Sequence, residues 1–121
     1  MAEEKIINTN EEVNSLVSNA MKALQEFATF NQEQVDYIVA KASVAALDHH
    51  GDLAKLAVDE THRGVFEDKA TKNLFACEYV VNNMRHLKTV GIIKHDEVSG
   101  ITEIAEPVGV VAGITPVTNP T

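Results

Sequence analysis

Val108-Gly109-Val110-Val111-Ala112-Gly113-Ile114 is the stretch on which the reading of this chain turns. It is apolar throughout, with no alternation, as in a strand buried on both faces of a parallel sheet. Parallel strands need crossover connections between them, and none follows before Thr121. The sequence therefore starts an α/β sheet and stops, which reads as an incomplete part of a larger domain spanning 1–121. Just upstream, Thr89 to Lys94 and Ile101 to Ala105 are expected as two strands around the turn His95-Asp96-Glu97-Val98-Ser99-Gly100. Pro107 separates this hairpin from the apolar run. Residues 89–121 are thus β-rich.

Residues 11–88 carry a different period. Val13, Leu16, Val17, Ala20, Leu24, Phe27 and Ala28 follow a helical stripe, with Asn10 as its expected cap. A second helix starts at Asn31, with Gln34 three residues on as in a capping box. Its stripe is Val35, Ile38, Val39, Ala42 and Ala46, an alanine-rich face that suggests close packing, and Gly51 is its expected stop. A short third helix covers about Asp52 to His62, with Leu53, Leu56 and Ala57 inward and Gly64 as stop. A fourth runs from about Phe66 to Leu87. The stripes of the first, second and fourth helices are expected to share one core. The fold class is α/β, with about four helices, a β-hairpin and then one strand of a parallel sheet.

Composition narrows the function classes. Lys plus Arg is 10 and Asp plus Glu is 18, giving a net charge of −8. Such a chain is repelled by phosphate backbones and anionic lipid surfaces, so neither nucleic acid nor membrane is an expected partner. One cysteine, Cys77, leaves no intrachain disulfide and suits a reducing, cytoplasmic compartment. The residues after Met1 lack the basic and apolar regions of a signal peptide.

Few residues suggest chemistry. Asp48-His49-His50 with Asp52 is a poor metal cluster, because adjacent side chains on a helix diverge by about 100°. Cys77 lies mid-helix beside Glu78, which suits a packed thiol better than a nucleophile. The loop Ile114, Thr115, Pro116, Val117, Thr118, Asn119 is the stronger candidate, since loops at the carboxyl ends of parallel strands bind ligands. Stiffened by prolines and polar, it suits a ribose or a pyrophosphate. An ordinary strand-to-helix connection with Thr or Asn as cap has the same composition. No Gly-x-Gly-x-x-Gly fingerprint is present.

Phe66-Glu67-Asp68-Lys69 with Lys72-Asn73, Lys88-Thr89-Val90-Gly91, and Ile104-Ala105-Glu106-Pro107-Val108-Gly109 through Thr118-Asn119-Pro120-Thr121 resemble the bacterial bifunctional aldehyde–alcohol dehydrogenases. Gln32-Glu33-Gln34-Val35-Asp36 and Leu53-Ala54-Lys55-Leu56-Ala57 fit the same family. Glu-Pro-x-Gly-Val is shared by aldehyde dehydrogenases generally, and the Thr-Asn-Pro ending narrows this to the CoA-acylating branch. The resemblance implies the amino-terminal portion of an aldehyde dehydrogenase fold with a Rossmann-like sheet. In the parent enzyme it implies reduction of acetyl-CoA to acetaldehyde with NADH, through a cysteine thioester, and of acetaldehyde to ethanol in an iron-dependent half. NAD is the implied cofactor, CoA a co-substrate, and a homo-oligomer or filament the implied assembly. The dinucleotide loop is carried over onto Ile114, Thr115, Pro116, Val117, Thr118 and Asn119. The oxyanion donor falls on Asn119, or on Thr118 when aligned through Pro116. The implied nucleophilic cysteine lies beyond Thr121, and Cys77 does not match it, so the chain alone is expected to be inactive. The competing expectation is a non-catalytic helical interaction module derived from the same amino-terminal region.

Overall fold

The structure, a computed structural model, describes residues 9–121. They form two compact units. One contains the described residues up to Phe30 together with Glu106–Ala112, and the other contains Asn31–Ala105 with Gly113–Thr121.

In the first unit, α1 spans Thr9–Phe27. Asn10 lies inside it rather than capping it, so the helix starts earlier than its apolar stripe suggests. It closes through hydrogen bonds from the Ala28 amide to the Leu24 carbonyl and from the Thr29 amide to the Glu26 carbonyl, and Phe27 meets Phe30 edge-on at 5.5 Å. Ala20, Ala23, Leu24 and Phe27 line an open groove of about 540 Å³ with Gly109, Val110 and Val111. None of the α1 residues is buried.

The second unit begins with α2, Gln32–Asp48. Its start is the reciprocal cap read from the sequence. Asn31 Oδ1 accepts from the Gln34 amide at 2.9 Å, and the Asn31 amide donates to Gln34 Oε1 at 3.0 Å. Gln32 adds a long-range tie, because its Oε1 accepts the amides of Thr89 at 2.7 Å and Val90 at 3.0 Å. The stop differs from expectation. α2 ends at Asp48, a single residue, His49, makes the joint, and α3 (His50–Thr61) starts at once with Gly51 inside it. His49 holds φ −107°, ψ 7°, so no left-handed residue is needed there. The left-handed residues come after α3, at His62 and Gly64.

α4 (Phe66–Leu74) runs without a break into a π-helical turn, Phe75–Val80, and then α5, Val81–Met84. In the π turn the Cys77 carbonyl accepts from Ser43 Oγ of α2. α4 packs mainly on α3, whereas the π turn and α5 pack on α2. All four buried side chains among the described residues belong to the α3–α4 pair: Ala54 and Ala57 on α3, Lys69 and Asn73 on α4.

This corrects the expectation of a shared core. α2 buries no residue, and Val39 in its stripe is 42% exposed. On α3 the inward face is Ala54 and Ala57, while Leu56 is 59% exposed. Close alanine packing occurs, but on α3 rather than α2.

The hairpin forms from β1 (Gly91–Asp96) and β2 (Ile101–Ala105), paired antiparallel with a bulge between Ile92 and Lys94. Lys94 faces Glu103 at 3.8 Å, and His95 Nδ1 meets Thr102 Oγ1 at 2.7 Å. Asp96 organises the turn, its Oδ1 accepting the amides of Val98 at 3.0 Å and Ser99 at 3.2 Å, and Gly100 closes it at φ +69°. The Ser99 side chain, then the Ser99 and Val98 amides, hold the Asp96 carboxyl below its ordinary value of 3.8. A lowered folded-state pKa contributes stability that is full above the unfolded value and is lost as pH falls through the folded value. The Val98 and Ser99 amide resonances should therefore hold constant from neutral pH down to the ordinary carboxylate range and shift together below it. Asp96→Ala should abolish that step; a step that persists in this variant would refute the assignment.

The expected strand Val108–Ile114 forms no ladder among the described residues. The only sheet described is the two-stranded hairpin, so the apolar run has no neighbour to pair with. Val108 is 92% and Ile114 98% exposed.

Candidate functional site

Lys69, Lys72 and Asn73 stand three and four residues apart on α4, so they share one face. Against this face lies the loop 114–121. Asn119 N donates to the Pro116 carbonyl at 3.0 Å and closes a tight turn there. Lys69 Nζ donates to the Thr118 carbonyl at 3.2 Å. Lys72 Nζ donates to Asn119 Oδ1, to the Thr121 main-chain oxygen at 2.9 Å and to Thr121 Oγ1 at 3.2 Å. The Thr121 hydroxyl donates to Asn73 Oδ1 at 3.0 Å, and Asn73 Nδ2 donates to the His50 carbonyl at 3.1 Å.

Lys69 bonds a peptide carbonyl and Lys72 the Asn119 amide oxygen and two oxygens of Thr121, and neither has a side-chain carboxylate partner among the described residues. Burial, then the charge of Lys69, lower the pKa of Lys72. Gly64 allows the Lys69 stem to lie where it does. At φ +74°, a Cβ there would stand 3.2 Å from Lys69 Cε.

The six loop residues named from the sequence are contiguous, and all are exposed. The hydroxyls of Thr115 and Thr118 and the Nδ2 of Asn119 make no hydrogen bond among the described residues, which leaves polar atoms free for a ligand. The loop is a short polar segment with free donors, held from one side by two cations. The Thr118 and Asn119 side chains differ in one respect. Only Asn119 has its side chain held by α4. Sequence reasoning had no role for Lys69, Lys72 and Asn73 beyond motif membership. The i, i+3, i+4 spacing of two cations and an amide was the available signal, though it also describes a solvated helix face.

The histidines do not converge. His49 Nδ1 lies 3.9 Å from Asp52, whereas His50 Nδ1 is 2.6 Å from the Leu47 carbonyl. The Cys77 residue is half-buried.

The helices, hairpin and loop together are those of an aldehyde dehydrogenase, and the profile of that family matches residues 6–121; the chain belongs to the aldehyde dehydrogenase family. Over 98% of its length it is 69% identical to the aldehyde-alcohol dehydrogenase of Streptococcus pneumoniae serotype 4. It is 61% identical over its full length to aldehyde-alcohol dehydrogenase 2 of Entamoeba histolytica. An acetylating aldehyde dehydrogenase from Geobacillus thermoglucosidasius superposes with TM-score 0.86 at 45% identity, over 91% of this chain and 24% of that one. The chain spans 14% of the length of these two curated relatives. Among the described residues no helix is long and apolar enough to cross a membrane.

Proposed function

We propose that this chain supplies one wall of the NAD site, and the oxyanion donor, of a CoA-acylating aldehyde dehydrogenase in the cytoplasm. The substrate class is a short acyl-CoA reduced to its aldehyde, with the nucleophilic cysteine outside residues 1–121. Self-assembly is the expected partnership, with neither nucleic acid nor membrane. When bound, NADH supplies the hydride that reduces the acyl carbon. Ile114, Thr115, Pro116, Val117 and Thr118 line the cofactor, and the free hydroxyls of Thr115 and Thr118 are the polar groups available to it. As the acyl carbonyl becomes tetrahedral, its oxygen takes negative charge, and Asn119 Nδ2 donates to it.

The observation that carries this reading is the orientation of Asn119. Its oxygen is held by an ammonium that can only donate, so Nδ2 is the atom left free. In purified protein from the complete reading frame, acyl-CoA should drive NADH oxidation, with one CoA released per acyl group reduced. Isolated 1–121 should show no saturable NADH binding in the low micromolar range, because the helix N-terminus and further strands of a dinucleotide site are absent from the described residues. No CoA release from the full product would refute the acylating reading; tight binding by 1–121 would refute the one-wall reading.

A further inference from the structure

Side-chain amides rotate in a broad well about their last torsion, so an exposed asparagine does not hold a donor in one direction unaided. Asn119 is exposed, yet its Oδ1 is fixed by Lys72. Lys72 is itself fixed. An ammonium has three donors, and the loop takes all three through Asn119 Oδ1 and the two oxygens of Thr121. Thr121 is in turn held by Asn73, and Asn73 by the His50 carbonyl at the start of α3. Asn73 is 6% exposed, so the far end of this chain of bonds is anchored in the interior. The bonds run in one direction at each link: Thr121 Oγ1 accepts from Lys72 and donates to Asn73 Oδ1, and Asn73 Nδ2 donates to the His50 carbonyl. With no side-chain carboxylate competing among the described residues, the ammonium stays on these acceptors.

We propose that Lys72 is a positioning residue, locking the Asn119 amide so that Nδ2 remains the donor presented to the oxyanion of acyl transfer; this rests on the function proposed above. Lys72 does not touch the reacting atoms. A structural anchor would hold the loop and affect binding, whereas a positioning residue acts through Asn119 and affects the chemical step.

The test is a double-mutant cycle in the full-length enzyme. Asn119→Ala should lower kcat by roughly 10² to 10³. Lys72→Met, which keeps the stem, should lower kcat by about 10² while KM for acyl-CoA and NADH stays within about threefold, as for a displaced catalytic group. The double variant should be no slower than Asn119→Ala alone, because both remove one function. If Lys72→Met fails to fold, Lys72→Arg keeps the charge with a different reach, and should show a smaller kcat loss that also vanishes in the Asn119→Ala background. In the 121-residue chain, Lys72→Met should shift the Asn119 side-chain amide resonances toward free-asparagine values. Losses that multiply in the double variant, a KM effect without a kcat effect, or unmoved Asn119 resonances would each overturn the assignment. A wild-type enzyme that releases no CoA would instead overturn the function beneath it, while the resonances still report the Lys72–Asn119 bond.

Discussion

Ala54→Leu is expected to destabilise the α3–α4 pair by about 1–3 kcal/mol, whereas Ala42→Leu on α2 stays within about 0.5 kcal/mol. The two substitutions add the same atoms to the same kind of helix, and both favour helix about equally. What separates them is place. Ala54 is 0% exposed at the contact between α3 and α4, whereas Ala42 is exposed. Added methylenes at Ala54 must push the helices apart or twist neighbouring rotamers, and Lys69 and Asn73 are the buried side chains on the facing helix. At Ala42 the same methylenes enter open space. For a chain this size, 1 kcal/mol moves the midpoint of a thermal melt by roughly 4 °C. Thermal unfolding of both variants measures the contrast. Equal losses at the two sites would show that α2 is covered as well as α3.

The second large effect concerns backbone protection. Amides of Val108 to Ile114 should exchange within about tenfold of unprotected peptide rates, whereas amides in the middle of α3 and α4 should be protected to the limit set by unfolding. The apolar run has no ladder partner among the described residues, and its ends are almost fully exposed. An apolar segment with unpaired backbone tends to pair with other chains, so exchange should slow as concentration rises. The net charge of −8 opposes that association without satisfying an N–H or a C=O. Hydrogen exchange on a verified monomer decides it; strong protection across this run would mean that the chain completes the strand by itself.

Signals confined to a few adjacent residues were legible. The Asn31–Gln34 cap is two side chains reaching three residues, and nothing distant alters it. The hairpin turn is likewise local, with Asp96 bonding the amides two and three residues on and Gly100 supplying the left-handed corner. The first strand runs Gly91–Asp96 rather than from Thr89 to Lys94, since the amides of Thr89 and Val90 go to Gln32, a tie not written in the hairpin's own residues. Faces were harder. On α3, Leu53 and Leu56 are larger and more apolar than Ala54, so hydrophobicity pointed the wrong way. The contact selects for small size, which periodicity does not weigh. The loop 114–119 was named from its place after an apolar run and from the resemblance, but what grips it was not. Lys69 and Lys72 find their acceptors 47 to 49 residues away, and a lysine at helical spacing reads as solvated until that distant carbonyl is known.

The π-helical turn at Phe75–Val80 has a consequence for how the chain tolerates change in length. Each helical residue advances the side-chain direction by about 100°. A wider turn accommodates one residue beyond the regular count, and so resets the phase of everything after it relative to what came before. Upstream of this splice, the helix keeps Lys69, Lys72 and Asn73 in step with the loop and α3. Downstream, it keeps Val81 to Met84 in step with α2, and within the turn the Cys77 carbonyl is left for Ser43. Deleting Ala76 from the turn would close it to an ordinary helix with no change in charge and little in hydrophobicity. It would still leave the two halves mis-clocked, so that only one of them could meet its neighbour. In this helix the number of residues is as much a specification as their identity.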